Sequence, residues 1–346
     1  MQKIIPNLWF DRNARQAVEY YKSIFDDLAL TGSSQYPKSK DQLDLRKTSD
    51  TPGLPSEDSE ILLSDGSDAD ASVTAEKVVL DFGGDPGDAG ILSKSSQSLA
   101  DFQTDLAGQD LTISISIYGY DFTLINAGPE FKATPSNSFM IYFNPTKPGQ
   151  SKQDLTKIAN RLLEKGTALM PLQEYDFSPW FAWIEDKYGF SWQLILIEPQ
   201  DPEYPRIVPA WMFGGPVQNQ AKSASSYYQS VFKHSSRGLE FSYPKATGPA
   251  QAGSIMYSDF KLENQWFAAN DAGVNQDFSF TEAVSYQINC ADQAEIDYYW
   301  SKLSNDPASE QCGWCKDRYG ISWQIVPANI EKLMNQKKII IDQYEQ

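Results

Sequence analysis

The sequence predicts an α+β protein built as a tandem of two related modules, each containing two β-α-β-β-β units. Three observations carry this expectation. The chain repeats itself at both ends of each module, strand and helix periodicities follow the same order in each copy, and 346 residues exceed one typical domain of about 100–150 residues.

The repeat is direct. Ile4 to Phe10, IIPNLWF, matches Ile207 to Phe213, IVPAWMF, and Ala17 to Phe25, AVEYYKSIF, matches Ala224 to Phe232, ASSYYQSVF. Near the module ends, DKYGFSWQLI from Asp186 matches DRYGISWQIV from Asp317. Pro6 and Pro209 lie 203 positions apart but Trp192 and Trp323 only 131, so the first module carries 72 more residues. Residues 41–90 hold 13 acidic and 3 basic side chains among many Ser, Gly and Pro, which reads as a solvated insertion. Asp65, Asp68 and Asp70 lack the alternating oxygen ligands and closing Glu of an EF-hand loop.

The elements follow in order. In the second module IVPAWMF reads as a strand, and Ala221 to Phe232 as a helix with Ala224, Tyr227, Tyr228 and Val231 in one stripe. GLEFSY, SIMYSDFKL and QWFAAN are strands separated by turn residues, which completes one unit. EAVSYQINC starts the next unit, Asp292 opens a helix through Ile296, Tyr299, Trp300 and Leu303, and CGWCKDRYGISWQIVP supplies a hairpin and last strand. The first module repeats this with FTLINAGP, SFMIYFNP, a helix from Lys152 to Lys165 and its own closing hairpin. The resulting organisation is residues 1–197 as module one with an acidic insertion around 33–90, a Pro-rich linker at 198–206, and residues 207–346 as module two with a C-terminal helix.

Composition narrows the function classes. A net charge of −17 repels a phosphate backbone, so nucleic acid is not an expected partner. No apolar run reaches the length of a membrane span, and the N-terminus lacks a basic start with a long apolar core, so a cytoplasmic protein without a membrane partner is expected. Three cysteines, Cys290, Cys312 and Cys315, make no even disulfide framework, and the single histidine, His234, excludes a site needing two imidazoles from one chain.

The Pro-bearing first strand, the paired Tyr of the helix and the D-x-x-G-x-S-W-Q ending, present twice, resemble PhnB-like proteins of the vicinal-oxygen-chelate superfamily, which includes glyoxalases, bleomycin-resistance proteins and dioxygenases. The resemblance covers nearly the whole chain outside the acidic insertion. It implies glyoxalase-like modules whose paired units form a curled mixed sheet, a cup in which catalytic relatives hold a divalent metal. Residue by residue, those ligand positions fall on Gln193 and Gln324, on Pro6 and Pro209, and near Ser138 and Ala283, within about one residue. None supplies an imidazole or carboxylate, so neither a metal nor another cofactor is expected. Some relatives carry a demethylubiquinone methyltransferase description. The chain shows no glycine-rich loop opening a helix after a strand, and methyl transfer is not expected.

The ligand-binding candidates are Trp9, Asn126, Trp183 and Gln193 in the first module, and Trp211, Phe213, Trp266, Asn270, Trp314 and Gln324 in the second. Aromatic rings along strands can line a cup, although most such rings pack in a core. Trp323 and Gln324, like Trp192 and Gln193, are neighbours on a strand, so only one of each pair can face the cup. Asn126 and Asn270 match at strand ends, where Asn also serves turns. Cys312 and Cys315 form a C-x-x-C pair whose first-module counterparts are the apolar Phe181 and Ile184, which favours structural thiols over redox chemistry. The expected function is metal-independent binding of a small apolar or aromatic molecule by a monomer whose modules pack as a pseudo-dimer. Two rivals stay open: a divalent-metal glyoxalase- or dioxygenase-like enzyme with unusual ligands, and an interaction protein using the acidic insertion.

Overall fold

The computed structural model describes residues 2–36, 105–311, 313–328 and 330. Residues 36–108 form a compact unit of their own, of which only Tyr36 and residues 105–108 are described. The other unit comprises residues 1–35 and 109–346. The acidic insertion beyond residue 36, including Asp65, Asp68 and Asp70, lies outside the described residues, as do Cys312 and nearly all of the expected C-terminal helix. Residues 33–35 belong to a strand and not to the insertion.

The first module runs β1 (Ile4–Asp11), α1 (Ala14–Ile24), β2 (Ala29–Gln35), β3 (Asp110–Ile117) and β4 (Tyr120–Ala127), then β5 (Asn137–Phe143), α2 (Lys152–Leu163), β6 (Thr167–Tyr175), β7 (Ser178–Glu185) and β8 (Ser191–Leu196). The second repeats the order with β9 (Ile207–Phe213), α3 (Ala221–Val231), β10 (Ser236–Ser242), β11 (Ile255–Leu262), β12 (Gln265–Asp271), β13 (Val284–Cys290), α4 (Gln293–Leu303), β14 (Trp314–Lys316) and β15 (Ser322–Pro327). A counterpart of β6 is missing from the second module among the described residues. There Pro307 opens a short 3-10 turn and Gln311 makes only an isolated bridge to Trp314; a proline without an N–H disfavours a strand ladder.

Local chemistry starts the helices in two ways. Ser151 and Asp154 form a reciprocal capping box on α2, and Asp292 caps α4 by accepting from the Glu295 N–H at 2.9 Å. The helices α1 and α3 have no such cap of their own. Their first N–H groups, on Ala14 and Ala221, donate instead to Asn126 Oδ1 at the end of β4 and to Asp271 Oδ1 at the end of β12. The counterpart of Asn126 is therefore Asp271, because Phe10 pairs with Asn126 as Phe213 pairs with Asp271. Asn270 lies one position earlier, on the opposite face.

The strands form two curled mixed sheets. Sheet 1 runs β14-β15-β13-β1-β4-β3-β2 and sheet 2 runs β10-β11-β12-β9-β5-β8-β7-β6. Each sheet takes the first unit of one module and the second unit of the other. The seams are antiparallel: Ile4 to Leu8 of β1 pair with Ile288 to Val284 of β13, and Asn137 to Ile141 of β5 pair with Trp211 to Ile207 of β9. Gln265 reinforces the exchange, accepting from the Lys3 and Ile4 N–H groups and donating to Ile4 O.

Strand alternation then sorts the side chains. One face of both sheets shares a large core with the helices, holding Ile4, Leu8 and Phe10 of β1, Trp211 and Phe213 of β9, and Trp192 and Trp323 of β8 and β15. The opposite face of each sheet is the inside of a cup. Curl is visible in ring contacts across the cup mouth. Trp314 on edge strand β14 and Trp9 on β1 are three strand spacings apart, about 14 Å in a flat sheet, yet their rings lie 6.0 Å apart.

Candidate functional site

Each module is joined across its two sheets by a buried carboxylate. Asp186 accepts from the Tyr21 hydroxyl at 2.8 Å, Trp192 Nε1 at 2.9 Å, and the Tyr188 and Phe190 N–H groups at 2.8 and 3.1 Å. Asp317 repeats this with Tyr228 at 2.7 Å, Trp323 at 2.8 Å, and the Tyr319 and Ile321 N–H groups at 2.8 and 3.1 Å. Gly189 and Gly320, both at φ +87°, close the turns in the left-handed region that favours glycine. Burial pushes both carboxyl groups up to about 6, against the pull of their four donors. The paired Tyr and the D-x-x-G-x-S-W motif are thus explained by structure: Tyr21 and Tyr228 enter the core, while Tyr20 and Tyr227 lie under Lys187 and Arg318.

Cup 1, on sheet 1, is lined by uncharged polar side chains in register. Ser322 pairs with Ser285, Ser285 with Asn7, Asn7 with Thr123, and Thr123 with Ser114, so one row crosses five strands on one face. Four of these, Ser322, Ser285, Asn7 and Thr123, are buried. In the next row Gln324 donates from Nε2 to Ser285 Oγ at 2.9 Å, and Gln287 donates to Asn289 Oδ1 at 2.8 Å. Asn7 Oδ1 and Ser322 Oγ are buried without a hydrogen-bond partner. Such atoms cost about 1–3 kcal/mol each. Trp9 and Trp314 flank the row, and a cleft of about 430 Å³ opens beside Trp9 between Phe131 and the Glu185–Gly189 turn.

Cup 2, on sheet 2, keeps the Gln–Ser pair but replaces the rest. Gln193 Nε2 donates to Ser138 Oγ at 2.8 Å, and Ser191, the counterpart of Ser322, accepts from Trp183 Nε1 at 2.6 Å. The place of Asn7 is taken by Ala210, and those of Gln287 and Asn289 by Met140 and Tyr142. Tyr142, Tyr257 and Trp266 make this cup aromatic.

The expected candidates therefore divide. Trp9, Trp314 and Gln324 face cup 1; Trp183, Trp266, Asn270 and Gln193 lie on the cup face of sheet 2. Trp211 and Phe213 instead face the helical core, both fully buried against rings of Tyr228 and Phe280, and Asn126 is spent on the α1 cap. Strand parity decided these placements, and sequence alone left the parity open. His234 is exposed in the turn after α3. The residues missed were Asn7, Ser285, Gln287 and Ser322. For Ser285 and Gln287 the signal was present as Ser285, Gln287 and Asn289 at every second position of VSYQINC, where SFMIYF has Ser138, Met140 and Tyr142.

The metal positions can be tested on the same geometry. Register makes Ser285, not Ala283, the counterpart of Ser138, since Tyr286 pairs with Trp323 as Phe139 pairs with Trp192. Pro6 and Pro209 lie on the core face, paired with Tyr286 and Phe139, so at that strand cup 1 presents Asn7 and cup 2 Ala210, beside a serine hydroxyl and a glutamine amide already bonded to that serine. A neutral set without carboxylate or imidazole does not compensate ion dehydration, so these residues do not fit a divalent metal.

Cys290 and Cys315 are free and buried on the core side. Burial, with Glu295 near Cys290 and Asp317 near Cys315, pushes both thiols up to about 12. Iodoacetamide is expected to modify them in the native protein at least about a hundredfold more slowly than free cysteine, because the thiolate is the attacking species. Peptide mass spectrometry reads this, and fast labelling of either residue would contradict the buried placement.

Paired β-α-β-β-β units closing two cups give the chain a vicinal-oxygen-chelate superfamily fold. A family model described as 3-demethylubiquinone-9 3-methyltransferase matches residues 2–51, 89–195 and 205–326, leaving out most of the acidic stretch. The chain belongs to that family. Among solved structures it is similar to the PhnB protein from Bacillus cereus, with 22% identity over 57% of this chain and 100% of that one, at a TM-score of 0.33. It is also similar to glyoxalase I from Zea mays, with 10% identity over 66% and 82% of the two chains, at a TM-score of 0.39. No curated protein matches the sequence.

Proposed function

We propose that the protein binds one small neutral molecule in cup 1, without a divalent metal. The ligand presents an apolar or aromatic face to Trp9 and Trp314 and a hydrogen-bonding edge to the polar row. The observation that carries this reading is the pair of buried, unpartnered atoms, Asn7 Oδ1 and Ser322 Oγ, in one row of the cup face. Cup 2 offers nothing equivalent, since Ala210 and the Trp183-bonded Ser191 stand at those places. A charged ligand is disfavoured: the one cation on the row, Lys316, is paired with Glu282. A cytoplasmic location belongs to the same reading; no described helix is long and apolar enough to cross a membrane. The activity in the family's description is not carried over.

A thermal-shift screen of neutral metabolites on the full chain tests the proposal, because a ligand that binds only the folded state raises its melting temperature. Ser322→Ala is expected to stabilise the free protein by about 1 kcal/mol, by removing a buried unpaired hydroxyl, while weakening the ligand about tenfold, the equivalent of one hydrogen bond. Asn7→Leu should weaken it likewise. Unchanged affinity in both variants would place the ligand elsewhere.

A further inference from the structure

The linker between the modules has no regular secondary structure from residue 197 to 206, yet one of its side chains is held as a ligand would be. Tyr204 stacks on Tyr142 with ring centroids 4.5 Å apart and planes 14° apart, and meets Trp266 edge-on at 5.6 Å. Its hydroxyl donates to Asp259 Oδ2 at 2.8 Å. Asp259 is 3% exposed and is itself fixed by the Tyr257 hydroxyl at 3.2 Å and by the Leu239 N–H at 2.7 Å on its other oxygen. Tyr257 in turn lies 3.1 Å from the Tyr142 hydroxyl, across the curl of the sheet.

A stacking platform, a perpendicular ring and a buried carboxylate acceptor at the far end are together complementary to a phenol. A linker that only spans a distance needs none of them. The register counterparts in cup 1 are Asn289 for Tyr142, Thr112 for Tyr257, Ser114 for Asp259 and Asp121 for Trp266, so the platform belongs to cup 2 alone. Arg206 pins the strap beside it, with its guanidinium 3.9 Å from the Phe143 ring centre and Nη1 donating to Tyr142 O.

We infer that cup 2 is a phenol-binding site that the chain's own linker keeps filled with Tyr204. The inference concerns cup 2 and stands apart from the reading of cup 1. An external phenol therefore meets Tyr204 already in place in cup 2.

The test replaces the internal ligand with an external one. Tyr204→Gly in the full chain is expected to melt lower than the wild type, and p-cresol, the tyrosine side chain as a free molecule, is expected to restore the melting temperature saturably. Wild type and Tyr204→Phe should show no comparable rise, because the ring still fills the site. Adding Asp259→Asn to the glycine variant should weaken p-cresol about tenfold, and toluene should rescue less than p-cresol. If the glycine variant does not fold alone, its refolded yield with and without p-cresol is the readout, and rescue supports the inference. Absence of rescue overturns it, as does a p-cresol rise of equal size in wild type and the glycine variant.

Discussion

Replacing Asp317 by Ala is expected to destabilise the protein by about 3–5 kcal/mol, because it strands a tyrosine hydroxyl, an indole N–H and two backbone N–H groups in the core. Asp186→Ala should cost the same for the same reason. The loss also cuts the hydrogen bonds through which Trp323 of β15 and Tyr228 of α3, or Trp192 of β8 and Tyr21 of α1, share one carboxylate, so chemical denaturation should show a lower midpoint. A change below about 1 kcal/mol in both variants would contradict the network. The two carboxyl groups also give a pH signature. Their folded values near 6 lie above the unfolded 3.8, so the native state holds protons that the unfolded chain has lost. Each contributes stability that is full below about pH 4 and is lost as the pH rises to about 6, on the order of 3 kcal/mol per group. Asp317→Asn, which cannot ionise, should remove one group's share of that slope.

Residues 1–200 expressed alone are expected to form a homodimer. The isolated module exposes the seam edges of β1 and β5, each an apolar strand, and such edges pair with any complementary strand. A second copy supplies one: β5 is the counterpart of β13, and β1 that of β9, so Ile4 can meet Ile141 of the other copy as it meets Ile288 in the full chain. The full chain closes both seams internally and should sediment as a monomer, since its linker holds the modules at high effective concentration. Analytical ultracentrifugation distinguishes the outcomes. A monomeric first module that keeps its near-ultraviolet tryptophan signals would show that the exchanged seams are dispensable.

Much of the chain was legible locally. The strand IVPAWMF, the helix opened by Asp292 and the two closing hairpins stand where periodicity and turn residues put them, because those signals depend only on near neighbours. The alternation in VSYQINC also marked a strand with one polar face. What stayed hidden were matters of partner and parity. β1 and β9 carry matching apolar residues on their core faces, as do β5 and β13, so nothing local decides whether a module folds on itself or exchanges halves. Asn126 and Asn270 look equivalent in sequence, yet one residue of register gives the capping role to Asp271.

The sequence by itself determined the doubled α+β architecture, the superfamily resemblance and the neutral donor chemistry of the cups, because repeats, periodicity and residue type are properties of the chain. Only the tertiary structure decided that each sheet is shared between modules, that Trp211 is core while Trp9 faces a cup, and that Tyr204 enters cup 2. Those outcomes depend on contacts between residues far apart in sequence, such as Tyr204 with Asp259 and Ile4 with Ile288, where many pairings satisfy the same local pattern and the packing of the whole selects one.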